Sequence, residues 1–174
     1  AYLGTEYTNQ EIKNILNKFS LPKNVKIEHY ENFEKLIDFI SSKIINGCVI
    51  GWFQGKMEWG PTALGNRSII ADPTNPNIKD IINLKIKRRE SFRPFAPSVI
   101  DERASEFFDL ESDDNFMLKV SKVKPEKVNL IPAVTHVDGT ARVQTVSKDT
   151  NPKYYRLLKQ LEKINDVPIL LNTS

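Results

Sequence analysis

The chain has 174 residues, 40% hydrophobic and 27% charged, with a formal net charge of +3. That is an ordinary globular composition, long enough to bury one core without help from disulfides or metals. No apolar run approaches the roughly 18 residues a membrane span needs, Ala1-Tyr2-Leu3-Gly4-Thr5-Glu6 lacks the pattern of a signal peptide, and so mild a positive balance does not by itself indicate a nucleic-acid protein. The single Cys48 excludes an internal disulfide. Its setting in the run Cys48-Val49-Ile50 predicts a small buried thiol, and a reducing cytoplasm is the expected compartment.

In chain order, Ile12, Ile15, Leu16 and Phe19 follow helical spacing behind a capping box of Thr8 and Glu11, and Leu21-Pro22 ends that helix. A second helix is predicted from about Asn32 to Ile45, with Phe33, Leu36, Ile37, Ile40 and Ile44 on one face. Asn46-Gly47 stops it, and 48–53 reads as a buried strand. The stretch Gln54 to Arg67 is too rich in Gly for a regular element and reads as a shaped loop. A short strand at 68–71 leads through the turn Asp72-Pro73-Thr74-Asn75-Pro76 to a helix over 77–86. Pro94 and Pro97 make 94–100 extended. A short helix over 102–108, strands over 116–123 and 141–146, a helix over 152–164 and a strand over 167–171 complete the pattern. Interleaved helices and strands predict one α/β (α+β) domain over 1–174 with a mixed sheet. An end at Leu171-Asn172-Thr173-Ser174, directly after an apolar strand, predicts a piece of a longer chain.

Three segments carry candidate chemistry. Lys85, Lys87, Arg88, Arg89 and Arg93 put five cations within nine positions. A solvated helix end near the carboxyl-terminal dipole accommodates such a run. The stiff Arg93-Pro94-Phe95-Ala96-Pro97 that follows argues instead for a restrained guanidinium suited to bidentate phosphate binding. The second segment surrounds the turn Asp138-Gly139. Beyond a plain hairpin, it offers His136, Thr140, Arg142 and Gln144, and strand alternation predicts that Thr140, Arg142 and Gln144 share one face. The third is Asn172-Thr173-Ser174, small polar groups at the carboxyl end of a strand, where α/β sheets often bind ligands. The glycines of the 55–67 loop allow close backbone approach, and Arg67 adds charge. With only His29 and His136 present, no metal site is expected.

In order along the chain, these segments resemble the carbamoyltransferase family of nodulation-factor and antibiotic-tailoring O-carbamoyltransferases. The resemblance runs through Tyr2-Leu3-Gly4, Gly51 to Glu58, Leu64 to Ile69, Lys87 to Pro97, Ala133 to Thr145 and Leu171 to Ser174, nearly the whole chain. It implies a carboxyl-terminal, YrdC-like domain with a mixed twisted sheet and flanking helices. Such a domain forms carbamoyl-adenylate from carbamoyl phosphate and ATP, with magnesium as an accessory. Final transfer to a hydroxyl acceptor falls to an iron-binding, sugar-kinase-like amino-terminal module of the same protein. The resemblance places Lys87, Arg93, Arg142 and Ser174 in the catalytic set. Arg67, Arg89, His136, Thr140 and Asn172 fall among the substrate- and ATP-binding residues. One departure is visible: the family loop Gly-Pro-Arg-Ala-Leu-Gly is here Gly60-Pro61-Thr62-Ala63-Leu64-Gly65, so Thr62 removes a cation that Lys56 or Arg67 would have to replace. A homodimer is compatible with these readings. The competing readings are an RNA- or polyanion-binding module, disfavoured by the lack of an aromatic-interleaved basic stripe, and a stand-alone threonylcarbamoyl-adenylate synthase.

Overall fold

A computed structural model of the chain describes residues 2–174. Its first helix, α1 (Asn9–Leu16), begins at the predicted capping box: the Thr8 side chain accepts from the Glu11 amide and the Glu11 carboxylate accepts from the Thr8 amide. No residue of α1 is buried, so local capping rather than packing defines it. Asn32 caps α2 (Phe33–Ile45) by accepting from the Glu34 amide at 2.8 Å, and Ile37 and Ile44 on its apolar face are fully buried.

The main sheet has the order β1-β2-β8-β3-β7, with β1 Ile50–Phe53, β2 Arg67–Ala71, β3 Ala96–Ile100, β7 Gln144–Val146 and β8 Ile169–Thr173. All neighbouring pairs are antiparallel except β3 and β7, which are parallel. The mixed α/β architecture is therefore as expected. A second sheet of three short strands, β4 (Phe108–Asp109), β5 (Ser121–Val123) and β6 (Thr140–Ala141), lies beside it. The remaining α-helices are α3 (Ile78–Ile81), which continues as a π-helix over Ile82–Lys87, α4 (Asp101–Phe107) and α5 (Pro152–Asn165), with single 3-10 turns at Pro125–Lys127 and Pro132–Val134.

Strand alternation divides the core at β8. Leu170 faces α2 and α5, joining Ile37, Trp52, Tyr154, Leu157 and Leu161. Ile169 and Leu171 face the opposite side with Ile78, Ile82, Phe95 and Phe107. Both faces of this central strand are covered, as its nearly continuous apolar sequence requires.

Several predicted boundaries move. Cys48 lies ahead of β1 and is exposed, not buried, because the strand starts only at Ile50. The strand predicted over 116–123 shrinks to β5. The Asp114 carboxylate accepts from the amides of Phe116, Leu118 and Lys119 at 3.1, 2.7 and 2.7 Å, so the chain coils around it instead of pairing. Met117 there takes a φ of 56°. The predicted strand over 141–146 is divided between the two sheets: β6 pairs with β5 and β7 with β3. Thr140, Arg142 and Gln144 consequently do not share the face of one strand. Finally, β8 extends two residues further than expected, which carries Asn172 inside the sheet.

Candidate functional site

Register decides what stands at each end of the main sheet. Ala96 of β3 lies opposite Asn172 of β8, Ile69 of β2 opposite Thr173, and Ser98 of β3 opposite Gln144 of β7. The carboxyl end of β8 therefore meets the starts of β2, β3 and β7. Arg67 begins β2, Arg93 lies three residues before β3, Arg142 two before β7, and Ser174 directly follows β8. Arg67 and Ser174 thus lie at one end of the main sheet, and the segments carrying Arg93 and Arg142 enter the sheet at that same end, although all four are drawn from segments far apart along the chain. Arg67 and Ser174 line the same shallow groove of about 400 Å³, with Gly51, Trp52, Phe53, Ser68 and Ile69. A larger groove of about 530 Å³ lies along residues 109–122 and Val143 and contains none of the predicted site residues.

The Lys87 ammonium donates to the backbone carbonyl of Ser174, tying the end of the π-helix to the end of β8. Burial first, and then the neighbouring Arg89 charge, push the Lys87 pKa down. Burial and the Arg93 guanidinium likewise lower that of Arg89. Mutual depression is what several cations held near one another produce.

Arg89 is held on two sides. Its Nε donates to Asn83 Oδ1 at 2.7 Å, and its guanidinium sits over the Phe95 ring, 5.0 Å from the centroid. Arg93 is more open and pairs with Glu90 at 3.1 Å. Arg88 adopts the left-handed conformation, φ 50°, which ends the π-helix and turns the chain into the Arg89–Arg93 loop.

His136 and Thr140 form a local unit. His136 Nδ1 lies 3.1 Å from Thr140 Oγ1, while the Thr140 hydroxyl donates to Asp138 Oδ1 at 2.7 Å. Burial lowers the His136 pKa, the Asp138 charge opposes that, and the nearby Arg142 guanidinium adds to the lowering. Arg142 is exposed, so its guanidinium is accessible to a ligand.

Behind this edge lies a polar row on the α5-facing side of the sheet. Ser98 donates to Gln144 Oε1 at 2.6 Å. Asn172 Nδ2 donates to Ser98 Oγ, Gln144 Oε1 and the Ala63 carbonyl at 3.0–3.1 Å. Gln144 Nε2 and the Tyr2 hydroxyl donate to the Leu64 carbonyl, each at 2.9 Å. These bonds fasten the Gly60–Asn66 loop over the sheet end. Among the described residues, Asn172 Oδ1, Glu58 Oε2 and the Tyr154 hydroxyl are buried here without partners.

The family model Carbamoyltransferase C-terminus matches residues 41–174. The chain belongs to the carbamoyltransferase C-terminal family. This carbamoyltransferase C-terminal domain is 43% identical to an uncharacterised protein of Synechocystis sp., an alignment covering 100% of the chain and 31% of that relative. It is 55% identical to nodulation protein NolO of Bradyrhizobium diazoefficiens over 74% of the chain and 24% of the relative. With nodulation protein NolNO of Sinorhizobium fredii the figures are 54%, 75% and 20%. The chain thus spans between a fifth and a third of the length of these relatives.

In the carbamoyltransferase C-terminal domain, Arg67 and Ser174 share one groove and Lys87 reaches Ser174, while Arg93 and Arg142 lie outside that groove on the segments entering β3 and β7. Arg89 stands beside Lys87, and His136 with Thr140 stands beside Arg142. Asn172 is the exception in setting: it is buried, with its amide committed to the loop and the polar row. Sequence reasoning overlooked Asn83 and Glu58. Asn83 sits mid-helix in an apolar context, and only its bonds to the Ser91 and Arg93 carbonyls, at 3.2 and 2.9 Å, reveal its role. The signal for Glu58 was its place in a loop of closely spaced glycines.

Proposed function

We propose that this domain binds carbamoyl phosphate and ATP and forms carbamoyl-adenylate within a longer cytoplasmic carbamoyltransferase. In that protein an amino-terminal sugar-kinase-like module, carrying the iron, transfers the carbamoyl group to a hydroxyl acceptor. The observation that supports the reading is that Arg67 starts β2, Lys87 reaches Ser174 after β8, and the segments carrying Arg93 and Arg142 enter β3 and β7 at that same end of the sheet, in a member of this family. An acyl phosphate and a nucleotide triphosphate repel each other. A set of restrained guanidinium and ammonium groups offsets that repulsion and orients the two for reaction, which is catalysis by positioning and charge stabilisation. No covalent enzyme intermediate is needed.

Among the described residues, no group of three or more His, Cys, Asp or Glu could hold a metal. Magnesium would arrive with the nucleotide, coordinated by its phosphates. No helix of the described residues is long and apolar enough to cross a membrane.

Calorimetry tests the proposal. The wild-type chain is expected to release or absorb heat with carbamoyl phosphate or ATP. Arg142→Ala, at an exposed position, is expected to stay folded and bind roughly ten- to a hundredfold more weakly, the effect of losing a charge-assisted contact. A folded wild-type chain giving no heat with either compound would overturn the assignment. Binding that tolerates any polyanion and collapses steeply with salt would favour a nonspecific polyanion module instead.

A further inference from the structure

The loop leading into β2 contains a ring of backbone donors that is already filled. Glu58 is buried, and its Oε1 accepts from the amides of Leu64, Asn66 and Arg67 at 2.7, 2.9 and 3.2 Å. The intervening Gly65 amide donates to Ser68 Oγ at 3.0 Å. Amides of neighbouring residues aimed at one oxygen form the kind of nest that binds phosphates elsewhere; here an internal carboxylate occupies it. The third of those amides belongs to Arg67, whose side chain lines the groove shared with Ser174.

The tie to Arg67 is independent of the sheet's hydrogen bonds. Strand pairing sets Arg67 opposite Phe53, and the Glu58 contact separately joins its backbone to the loop that covers the sheet end. The backbone leading into Glu58 is held in place as well. Gly4 and Thr5 pair with Met57 through backbone bonds of 2.9 and 3.0 Å, and Asn66 Nδ2 donates to the Lys56 carbonyl at 2.7 Å. The Tyr2 and Tyr154 phenols both lie within reach of its charge.

We propose that Glu58 is a positioning residue for the anion site, holding Arg67 at the groove beside Ser174 by gripping the amides of the loop. The proposal rests on the carbamoyl phosphate and ATP reading. Glu58 touches neither compound; it acts through Arg67. A carboxylate suits the task because three N–H donors converge on one oxygen, and a charged acceptor holds them about twice as strongly as a neutral amide oxygen would.

The experiment is a double-mutant cycle on the 174-residue chain. Carbamoyl phosphate and ATP are titrated by calorimetry into wild type, Glu58→Ala, Glu58→Gln, Arg67→Ala and the two Glu58/Arg67 double variants, with circular dichroism and melting confirming the fold. Arg67→Ala and Glu58→Ala are each expected to weaken binding about tenfold, and Glu58→Gln, which keeps the acceptor but not the charge, about threefold. The double variants are expected to bind no more than about twofold weaker than Arg67→Ala alone.

A folded Glu58→Ala chain with wild-type affinity overturns the role, as do Glu58 and Arg67 losses that multiply independently. If Glu58→Ala does not fold, the Glu58→Gln cycle decides by the same criteria. Wild type that binds neither compound removes the functional reading itself and this inference with it. Wild type that binds while the cycle shows no coupling removes only the role of Glu58.

Discussion

Gly65 has a φ of +94°, and a Cβ built there would lie 2.3 Å from Tyr154 Cδ1. Tyr154 is fully buried in the face of the core covered by α5, so its ring cannot swing aside cheaply. Backbone strain and overpacking act together at this position. Gly65→Ala is expected to destabilise the fold by about 3 kcal/mol, measured by urea denaturation. At Gly139, φ +77°, an added Cβ would meet nothing within 4 Å, so the same substitution there carries the backbone strain alone. Comparing the two variants separates the two contributions.

The passage from α3 into the π-helix is the element on which the basic cluster depends. The wider turn ends at left-handed Arg88, and the Arg89 amide bonds back to the Asn83 carbonyl at 3.0 Å. The Asn83 side chain accepts from Arg89 Nε and donates to the Ser91 and Arg93 carbonyls. One buried amide thereby satisfies three partners and fixes both ends of the Arg89–Arg93 loop. π-type turns inside helices are found frequently at functional sites, and here the turn delivers Lys87 to Ser174. Asn83→Ala is expected to lower stability by about 1–2 kcal/mol in denaturant titrations, because it removes the bonds of a buried amide to the Ser91 and Arg93 carbonyls and to Arg89.

At the scale of the whole molecule, stability is expected to depend on pH through the contact between α4 and α5. Burial, followed by its bond to Glu102, pushes the Asp101 carboxyl up to about 6. Glu102 resists burial through bonds from Asp101 and Tyr155 and is held low. The folded Asp101 pKa lies above its unfolded value. Its stabilising contribution is therefore complete below the ordinary carboxylate range and is lost as pH rises through about 6. Asp101→Asn mimics the protonated form and keeps the acceptor for the Glu102 amide, which Asp101 Oδ1 meets at 3.0 Å. This variant is expected to melt a few degrees higher than wild type at about pH 7.5, with the gain vanishing by about pH 3. Melting curves at the two pH values check both the sign and its disappearance.

Local signals were sufficient wherever the deciding contacts lie within a few residues. Thr8 with Glu11 and the periodicity of Ile37 and Ile44 identified helices correctly because caps and amphipathic faces act over one or two turns. The ordered motifs from Gly51 to Ser174 carried the family, and the matching residues 41–174 bear that out. What local signals could not supply was register. Whether Asn172 ends a strand or lies within it, and whether Arg142 continues a strand or marks the crossing between two sheets, depends on which distant segment offers the next hydrogen bonds. The same is true of Asp114, whose side chain takes the amides that a longer β5 would have used. The α/β class, the capped and amphipathic helices and the chemical character of the basic residues were legible in the sequence. Only tertiary pairing decided that Arg67 and Ser174 meet at one end of one sheet, with the Arg93 and Arg142 segments entering at that end, because strand register is set between segments far apart along the chain.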